Sequence, residues 1–203
     1  MDRPTALRQA LSSTKNHYFK RTFVDSINTD SAGQAGIGKS FRLDMLPNYT
    51  EFTTLFDQYR INGIAIKVVW RSTGISMIET QADPDRPGAP ILYDVIDLDD
   101  ATAPTTRNEV MSYSKHQMTM YSTARRSRSK FFKPRGLNTI YRTGVSNAYT
   151  LANPKAWIDM SYVDVEHYGY KGFVEVPNTG ATSVPVNYFD IHYTVYLQCR
   201  QAR

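Results

Sequence analysis

The chain has 203 residues, of which 41% are hydrophobic and 21% charged, a composition typical of globular rather than disordered proteins. The net charge is +5, and the single cysteine, Cys199, excludes a disulfide framework and a cysteine-rich metal site. No apolar run has the length of a signal peptide or a membrane-spanning helix, so we expect a soluble intracellular protein without a membrane partner. Aromatic residues reach 12%, with 14 tyrosines, which favours strands over helices.

The alternation of apolar and polar residues predicts eight strands, joined by loops of very unequal length. The last strand has the clearest pattern, with Ile191, Tyr193 and Cys199 on its apolar face. In the fifth strand we expect Met118 and Met120 to point inward. In chain order, the predicted strands span residues 16–26, 37–46, 61–72, 91–99, 114–123, 128–136, 170–176 and 187–201.

Residues 48–60 contain the one helical pattern, because their aromatic and aliphatic side chains recur at spacings of three and four. A further helical turn is expected around Asn108. Eight antiparallel strands in two sheets predict an all-β fold, an eight-stranded antiparallel jelly roll with one short helix before the fourth strand. We expect a single domain over residues 1–203, with residues 1–15 as an N-terminal segment.

Residues 33–40 read Gly-Gln-Ala-Gly-Ile-Gly-Lys-Ser and match the phosphate-binding P-loop pattern, which raises the alternative of a nucleotide-binding enzyme. In that alternative Lys39 would reach the outer phosphates and Ser40 would hold magnesium. A P-loop follows a buried strand and opens a helix. Here a polar segment precedes Gly33, and period-two alternation and Pro47 follow Ser40. We therefore predict that the glycines form a flexible loop that leads into a strand.

Charge is distributed unevenly along the chain. Acids dominate residues 79–109, whereas residues 110–158 contain nine lysines and arginines and no acid. This asymmetry indicates either a polyanionic partner or a self-complementary assembly. A strand-rich domain with one basic face remains the simpler alternative.

The basic segment 124–135 is the strongest nucleic-acid candidate. In such a site its cations would neutralise phosphates, and Phe131 or Phe132 would stack on an unpaired base. Since the two rings are adjacent in a strand, at least one of them is expected to point into the sandwich. A solvated face, a contact between subunits and a short nuclear import signal are the other interpretations. The candidate phosphate contacts are Arg125, Arg126, Arg128 and Lys130.

No pattern predicts a catalytic, metal or cofactor site. The acids of residues 97–100 lack the ligand periodicity of a calcium loop, and a solvated turn is the preferred interpretation. No serine or cysteine lies in a nucleophile motif, and Cys199 is expected in the core. Trp70 and Trp157 are expected to be core or interface anchors. The four histidines lie at spacings unsuited to a metal: His17, His116, His167 and His192.

Several segments, in this order and spacing, resemble the capsid proteins of circoviruses, a family of circular, Rep-encoding single-stranded DNA (CRESS-DNA) viruses. The resemblance runs from about residue 48 to residue 203. The segments that carry it are FDQYRINGIAIKVVW (56–70), SKFFKPRG (129–136), PKAWIDMSYVDVEHYG (154–169), HYGYKGFVEV (167–176) and YFDIHYTVYLQCR (188–200).

The resemblance implies a jelly-roll subunit with a structural and not an enzymatic function. Sixty copies would form a T=1 icosahedral shell around a circular single-stranded DNA genome. The long loops would build the outer surface and the contacts between subunits. The protein would then be found in the virion, and in the host nucleus during assembly. The sequence does not identify the host receptor.

Family members usually begin with a long arginine-rich arm that binds DNA, and this chain departs from that pattern. Its first residues carry only Arg3, Arg8 and Lys15. Since the family's arm enters the shell interior, these residues are expected to face it together with Lys20 and Arg21 and to contact nucleic acid. Ordinary strand-edge charges are the alternative interpretation.

Two further alternatives share the predicted fold. One is the capsid subunit of a small satellite or RNA virus, which would differ in its cargo. The other is a cellular jelly-roll binding module of the lectin or cupin type. A cupin needs clustered histidine and glutamate ligands, and the sequence shows no such cluster.

Overall fold

The computed structural model describes residues 15–71, 89–122, 124–142, 147–177 and 187–202. Its strands are β1 (His17–Asn28), β2 (Gln34–Phe41), β3 (Phe56–Trp70), β4 (Ile91–Val95), β5 (Gln117–Met120), β6 (Ser127–Phe132), β7 (Leu137–Arg142), β8 (Asn147–Leu151), β9 (Ile158–Asp159), β10 (His167–Glu175) and β11 (Tyr188–Ala202). The α-helices are α1 (Tyr49–Leu55) and α2 (Arg107–Met111), and a 3-10 turn spans Leu43–Met45.

The strands form two four-stranded antiparallel layers, which confirms the predicted jelly roll. Sheet A has the order β1-β11-β3-β6, with the short β9 paired to the start of β3. Sheet B has the order β2-β10-β4-β5, and β7 and β8 form a separate hairpin. Neighbouring strands in both sheets are mostly distant in sequence, as the long crossovers of a jelly roll require. No helix in the described part of the chain is long and apolar enough to cross a membrane.

The core lies between the two sheets and follows the period-two pattern of the strands. In β11 the side chains of Ile191, Tyr193 and Cys199 are buried, as predicted, and they pack with residues of sheet B. Burial raises the pKa of the Cys199 thiol to about 12, which keeps it protonated and unreactive at neutral pH. Trp70 is 5% exposed and is a core residue, as expected.

Several local expectations were wrong. The helix α1 precedes the third strand along the chain and not the fourth, because only β1 and β2 come before it. The predicted second strand ends at Phe41, and the chain then turns into the 3-10 turn, where Leu43 is buried. In β5 it is Thr119 that points inward, because it pairs with the buried Leu92 of β4. Met118 and Met120 face outward instead and are 61% and 56% exposed.

The glycines of the P-loop-like segment lie within a strand, so the predicted flexible loop is wrong for Gly36 and Gly38. A Cβ on Gly36 would overlap the carbonyl oxygen of Pro104, and one on Gly38 would lie 2.6 Å from the amide nitrogen of Ala103. The absence of side chains lets another segment pass directly over β2. Lys39 forms an ion pair with Asp25 at 2.5 Å, and the motif ends within strand β2 instead of opening an α-helix, so its geometry is not that of a P-loop.

The segment that passes over β2, residues 96–116, covers the outward face of sheet B. Its helix α2, close to the turn expected around Asn108, buries Val110 against Tyr93, Val95 and Phe173 of sheet B. The ammonium group of Lys171, 6% exposed, contacts the carboxylates of Asp97, at 2.8 Å, and Asp100.

Asp97, Asp99 and Asp100 form the one group of acids in the described residues that is close enough to hold a metal ion. Burial alone would raise the pKa of Asp97, but hydrogen bonds with Asp99, Lys171 and Tyr113 lower it to about 2. The ammonium of Lys171 compensates part of the charge of this cluster, and its ion pairs with Asp97 and Asp100 fasten the covering segment to sheet B.

We expect the substitution Gly38→Ala to destabilise the fold, because its Cβ would overlap the backbone of the covering segment. Overpacking of this kind costs about 1–3 kcal/mol. Gly136→Ala is the matched control, since the nearest atom to its new Cβ would lie at 3.4 Å. Urea unfolding of the two variants measures the difference. Equal decreases in unfolding free energy would show that the close approach over β2 does not constrain the chain.

Candidate nucleic-acid interface

The outward face of sheet A, which we call the open face, differs from that of sheet B because no segment covers most of it in the described residues. The exposed side chains of β1 alternate regularly with half-buried ones that pack on the core. The ladder register carries this alternation across β11, β3 and β6. The side chains that point outward include Tyr18, Lys20, Thr22, Val24, Arg60, Lys67, Phe131, Tyr188, His192, Thr194, Tyr196 and Arg200.

A row of a cation and two aromatic rings crosses the middle of the open face. Lys20 pairs with Tyr196, which pairs in turn with Gly63. The ring of Phe131 lies over Gly63, where a Cβ would come within 2.8 Å of its Cε2 atom, and it contacts the Tyr196 ring at a centroid distance of 6.0 Å. Gly63 therefore makes the space in which the two rings meet above the sheet.

Aromatic exposure on the open face is high for a protein surface. Tyr18 is 71% exposed, Phe131 58% and Tyr188 56%. Exposed aromatic rings beside cations are the surface on which single-stranded nucleic acids bind, because bases stack on the rings while cations neutralise the phosphates.

The open face is also almost free of acids. The outward positions of its four strands carry Lys20, Arg60, Lys67 and Arg200, and the carboxylate among them is Asp190. That carboxylate accepts hydrogen bonds from Ser26 at 2.7 Å and from Arg71 at 3.3 Å, so its charge is already compensated. A surface with this charge attracts a polyanion.

The first predicted group of cations is only partly on this face. Arg3 and Arg8 lie outside the described residues. Lys15 is exposed just before β1, and Lys20 is exposed on the open face. Arg21 has the opposite orientation: its guanidinium lies 5.0 Å from the Phe52 ring centre and 3.7 Å from a Glu51 oxygen.

The second predicted group is divided between the surface and the interior. Arg125 and Arg126 are exposed in the connection from β5 to β6. Arg128 and Lys130 instead point between the sheets, in register with the core residues of β3. Arg128 donates a hydrogen bond to Gln117, and the Lys130 side chain is only 14% exposed. As expected, one of the adjacent rings, Phe132, is buried in the core.

Lys130 has a specific partner in the interior. Its Nζ atom lies 3.1 Å from Oδ2 of Asp94, a fully buried residue of β4 in the opposite sheet. Burial first, and the negative charge of Asp94 second, raise the pKa of the nearby hydroxyls of Tyr121 and Tyr170. This ion pair joins the two sheets, and it removes Lys130 from the outer surface.

The open face contains residues that were not predicted as site residues. The alternation of the last strand already placed His192, Tyr196 and Arg200 on one side, and Lys67 alternates with core residues in β3. The signal was therefore in the sequence. The strand pattern alone did not tell which of the two sheets has an uncovered outward face.

The comparisons with known proteins agree with this geometry. The family model described as Circovirus capsid protein matches residues 2–203. No curated protein matches the chain significantly in sequence. The 60-mer BFDV capsid protein is similar in structure, with a TM-score of 0.66 at 16% identity over 93% of this chain and 95% of that chain. The decameric BFDV capsid protein gives a TM-score of 0.55 at 16% identity over 92% and 100%.

We expect Lys130→Met to lower the free energy of unfolding by about 3–5 kcal/mol, because it leaves a buried carboxylate without its counter-ion. Arg107→Met, which breaks an exposed ion pair with Glu175, is expected to cost less than about 1 kcal/mol. Adding Asp94→Asn to Lys130→Met should restore much of the stability. Chemical denaturation of the three variants measures these differences, and a Lys130→Met effect no larger than that of Arg107→Met would contradict the assignment.

Proposed function

The chain belongs to the circovirus capsid protein family, and we propose that sixty copies of it assemble into a T=1 icosahedral shell around a circular single-stranded DNA genome. It is a viral capsid protein, with a structural rather than a catalytic function, and it is a component of the virion. The oligomeric form of the BFDV capsid protein, a 60-mer, supports the proposed number of subunits.

The observation that carries the proposal is the difference between the two outward faces of the sandwich. One is covered by residues 96–116, and the other, the open face, combines exposed aromatic rings with cations that have no ion-pair partner among the described residues. In a closed shell one of these surfaces faces the genome. The chemistry of the open face suits the inner wall, because nucleic acid is a polyanion with stacking bases.

Contact with the genome would then require no particular base sequence. Lys20 and Lys67 neutralise phosphates, and the rings of Tyr18, Tyr196 and Phe131 stack on bases that are unpaired. Each base has a flat aromatic surface, so such stacking tolerates any sequence. A capsid that packages a whole genome needs this property.

Subunit contacts would use the charges outside the open face. The covering segment is acidic, with Asp99, Asp100 and Glu109 exposed, whereas the turn at Arg125 and Arg126 is basic. Complementary patches of this kind pair between neighbours around symmetry axes, and salt weakens them. The same basic segment fits a nuclear import signal, in keeping with assembly in the host nucleus.

The alternative within the same fold is a shell that packages RNA. The open face does not distinguish the two, because its cations and rings address phosphates and bases that both nucleic acids share. The nature of the cargo therefore has to come from the purified particle.

We expect the purified chain to form uniform closed particles in negative-stain electron microscopy, with an absorbance ratio that shows nucleic acid retained after nuclease treatment. The retained material should be degraded by DNase, and not by RNase, once the particles are opened. Retained RNA would replace the DNA proposal with the RNA-virus alternative. A monodisperse monomer across salt and pH would contradict assembly into a shell.

We expect Lys20→Gln combined with Lys67→Gln to reduce the nucleic acid retained per particle while leaving closed particles, because both side chains are exposed on the open face. The control, Arg107→Gln with Lys115→Gln, makes the same change of charge on the segment that covers sheet B. Absorbance and particle numbers of both preparations give the comparison. Equal reductions would indicate a net-charge effect and would refute the assignment of the open face to the genome.

A further inference from the structure

Two arginines on the open face are held by one tryptophan. The guanidinium carbons of Arg60 and Arg200 lie 4.6 and 4.3 Å from the centre of the Trp157 ring. Each also donates a hydrogen bond from Nε to a side-chain amide oxygen, Arg60 to Gln198 at 2.8 Å and Arg200 to Gln58 at 2.7 Å. Held by both the ring and an amide oxygen, each guanidinium group is fixed in position while its outer N–H groups remain near the surface.

Within the described part of the chain, this pair carries two positive charges without a matching acid. Among the described residues, no carboxylate lies within ion-pair distance of Arg60 or Arg200. The remaining partner of Arg60 is the carbonyl oxygen of Lys155, at 3.3 Å. Asp159 is opposite Gln58 in the ladder, and its carboxylate accepts the amide of Ser161 at 2.8 Å. Two like charges beside one ring repel each other unless an anion joins them.

A buried amide helps to hold one of the two arginines in place. Gln198 is 1% exposed, and its Oε1 atom accepts hydrogen bonds from Arg60 and from Asn62, the latter at 3.1 Å. Those two bonds fix the orientation of the amide, and its Nε2 atom has no hydrogen-bond partner. The amide of Gln198 therefore holds Arg60 from beneath, and the donors near the surface are those of the two arginines.

We propose that Arg60 and Arg200, positioned by Trp157 and by the amides of Gln198 and Gln58, form a binding site for a phosphodiester group of single-stranded nucleic acid. The proposal rests on the proposed function, in which the open face contacts the genome. Guanidinium groups bind phosphate oxygens through paired N–H donors. The proposal thus assigns the contact between the open face and the genome to specific residues.

The neighbourhood of the site suits a nucleotide and not only a free anion. Tyr18, 71% exposed, is opposite Gln198 in the β1–β11 ladder, and Lys20 is two residues further along β1. A phosphate on the two arginines therefore has an exposed ring beside it, on which an adjoining base stacks. Trp157 itself is in contact with both guanidinium groups, so it acts as a positioning residue.

Trp157 gives a direct readout, because the chain has only two tryptophans. In the variant Trp70→Phe, Trp157 is the single tryptophan, and its fluorescence reports on the arginines stacked against it. The chain is kept dilute enough to remain unassembled, which light scattering checks. It is then titrated with a thymidine oligonucleotide and, in a separate experiment, with inorganic phosphate. We expect a saturable change with the oligonucleotide at far lower concentration than with phosphate. No change with the oligonucleotide would overturn the proposal.

The second measurement uses the native tryptophans and a labelled oligonucleotide in fluorescence anisotropy. We expect Arg60→Gln with Arg200→Gln to weaken binding at least about tenfold. The slope of log affinity against log salt should fall by about 0.7, the contribution of the one phosphate that the two arginines no longer neutralise. The control, Arg71→Gln with Arg107→Gln, removes two arginines that are already paired with carboxylates. It should change the slope much less, and equal changes would overturn the site.

The outcomes separate this site from the shell itself. Closed particles with unchanged oligonucleotide binding in the Arg60 and Arg200 variant would leave the capsid proposal standing and refute the site. If the unsubstituted chain never forms particles, and the Arg60 and Arg200 variant loses oligonucleotide binding, the site would stand and the capsid proposal would be refuted. Binding of heparin, a sulfated polysaccharide, without binding of the oligonucleotide would overturn the proposal, since it would assign the arginines to a different polyanion.

Discussion

The backbone of residues 101–104 lies directly on β2, and the difference between the two faces of the sandwich depends on this close contact. Because Gly36 and Gly38 have no side chains there, the segment 96–116 can cover sheet B and bury Val110. Lys171 forms ion pairs with Asp97 and Asp100, which places these acids on the covered side. The outward positions of sheet A keep their cations and aromatic rings in solvent. An exposed surface that combines cations with aromatic rings is typical of a binding surface.

The interior of the sandwich decides which cations are available to such a partner. Asp94 is fully buried, and a buried charge needs a counter-ion, so Lys130 of the opposite sheet turns inward to meet it. Phe131, the next residue, consequently points outward, where it meets Tyr196 above Gly63. The Asp94–Lys130 ion pair and the buried ring of Phe132 thus both favour the same orientation of β6. Because successive side chains of a strand point to opposite faces, a run of basic residues within a strand is divided between two surfaces.

Long strands were predictable from sequence because many alternating residues indicate the same face, as Ile191, Tyr193 and Cys199 do in β11. The four residues of β5 were not, because hydrophobicity placed Met118 inward whereas pairing with Leu92 places Thr119 there. The hairpin of β7 and β8 was missed inside what looked like one long connection. The cluster around Trp157 could not be predicted from the sequence for another reason. Its members come from three distant segments and meet only in the folded chain.

In the proposed site, nucleic-acid binding would be coupled to the order of the chain around the cluster. The segment carrying Trp157 is held against sheet A by Arg60 and Arg200, and their mutual repulsion works against this packing. An anion that joins the two guanidinium groups removes the repulsion, so it binds the packed arrangement more tightly than an unpacked one. By linkage, such a ligand stabilises the packed state. The genome would then order the same surface that it binds, and a subunit without nucleic acid would hold this segment less firmly.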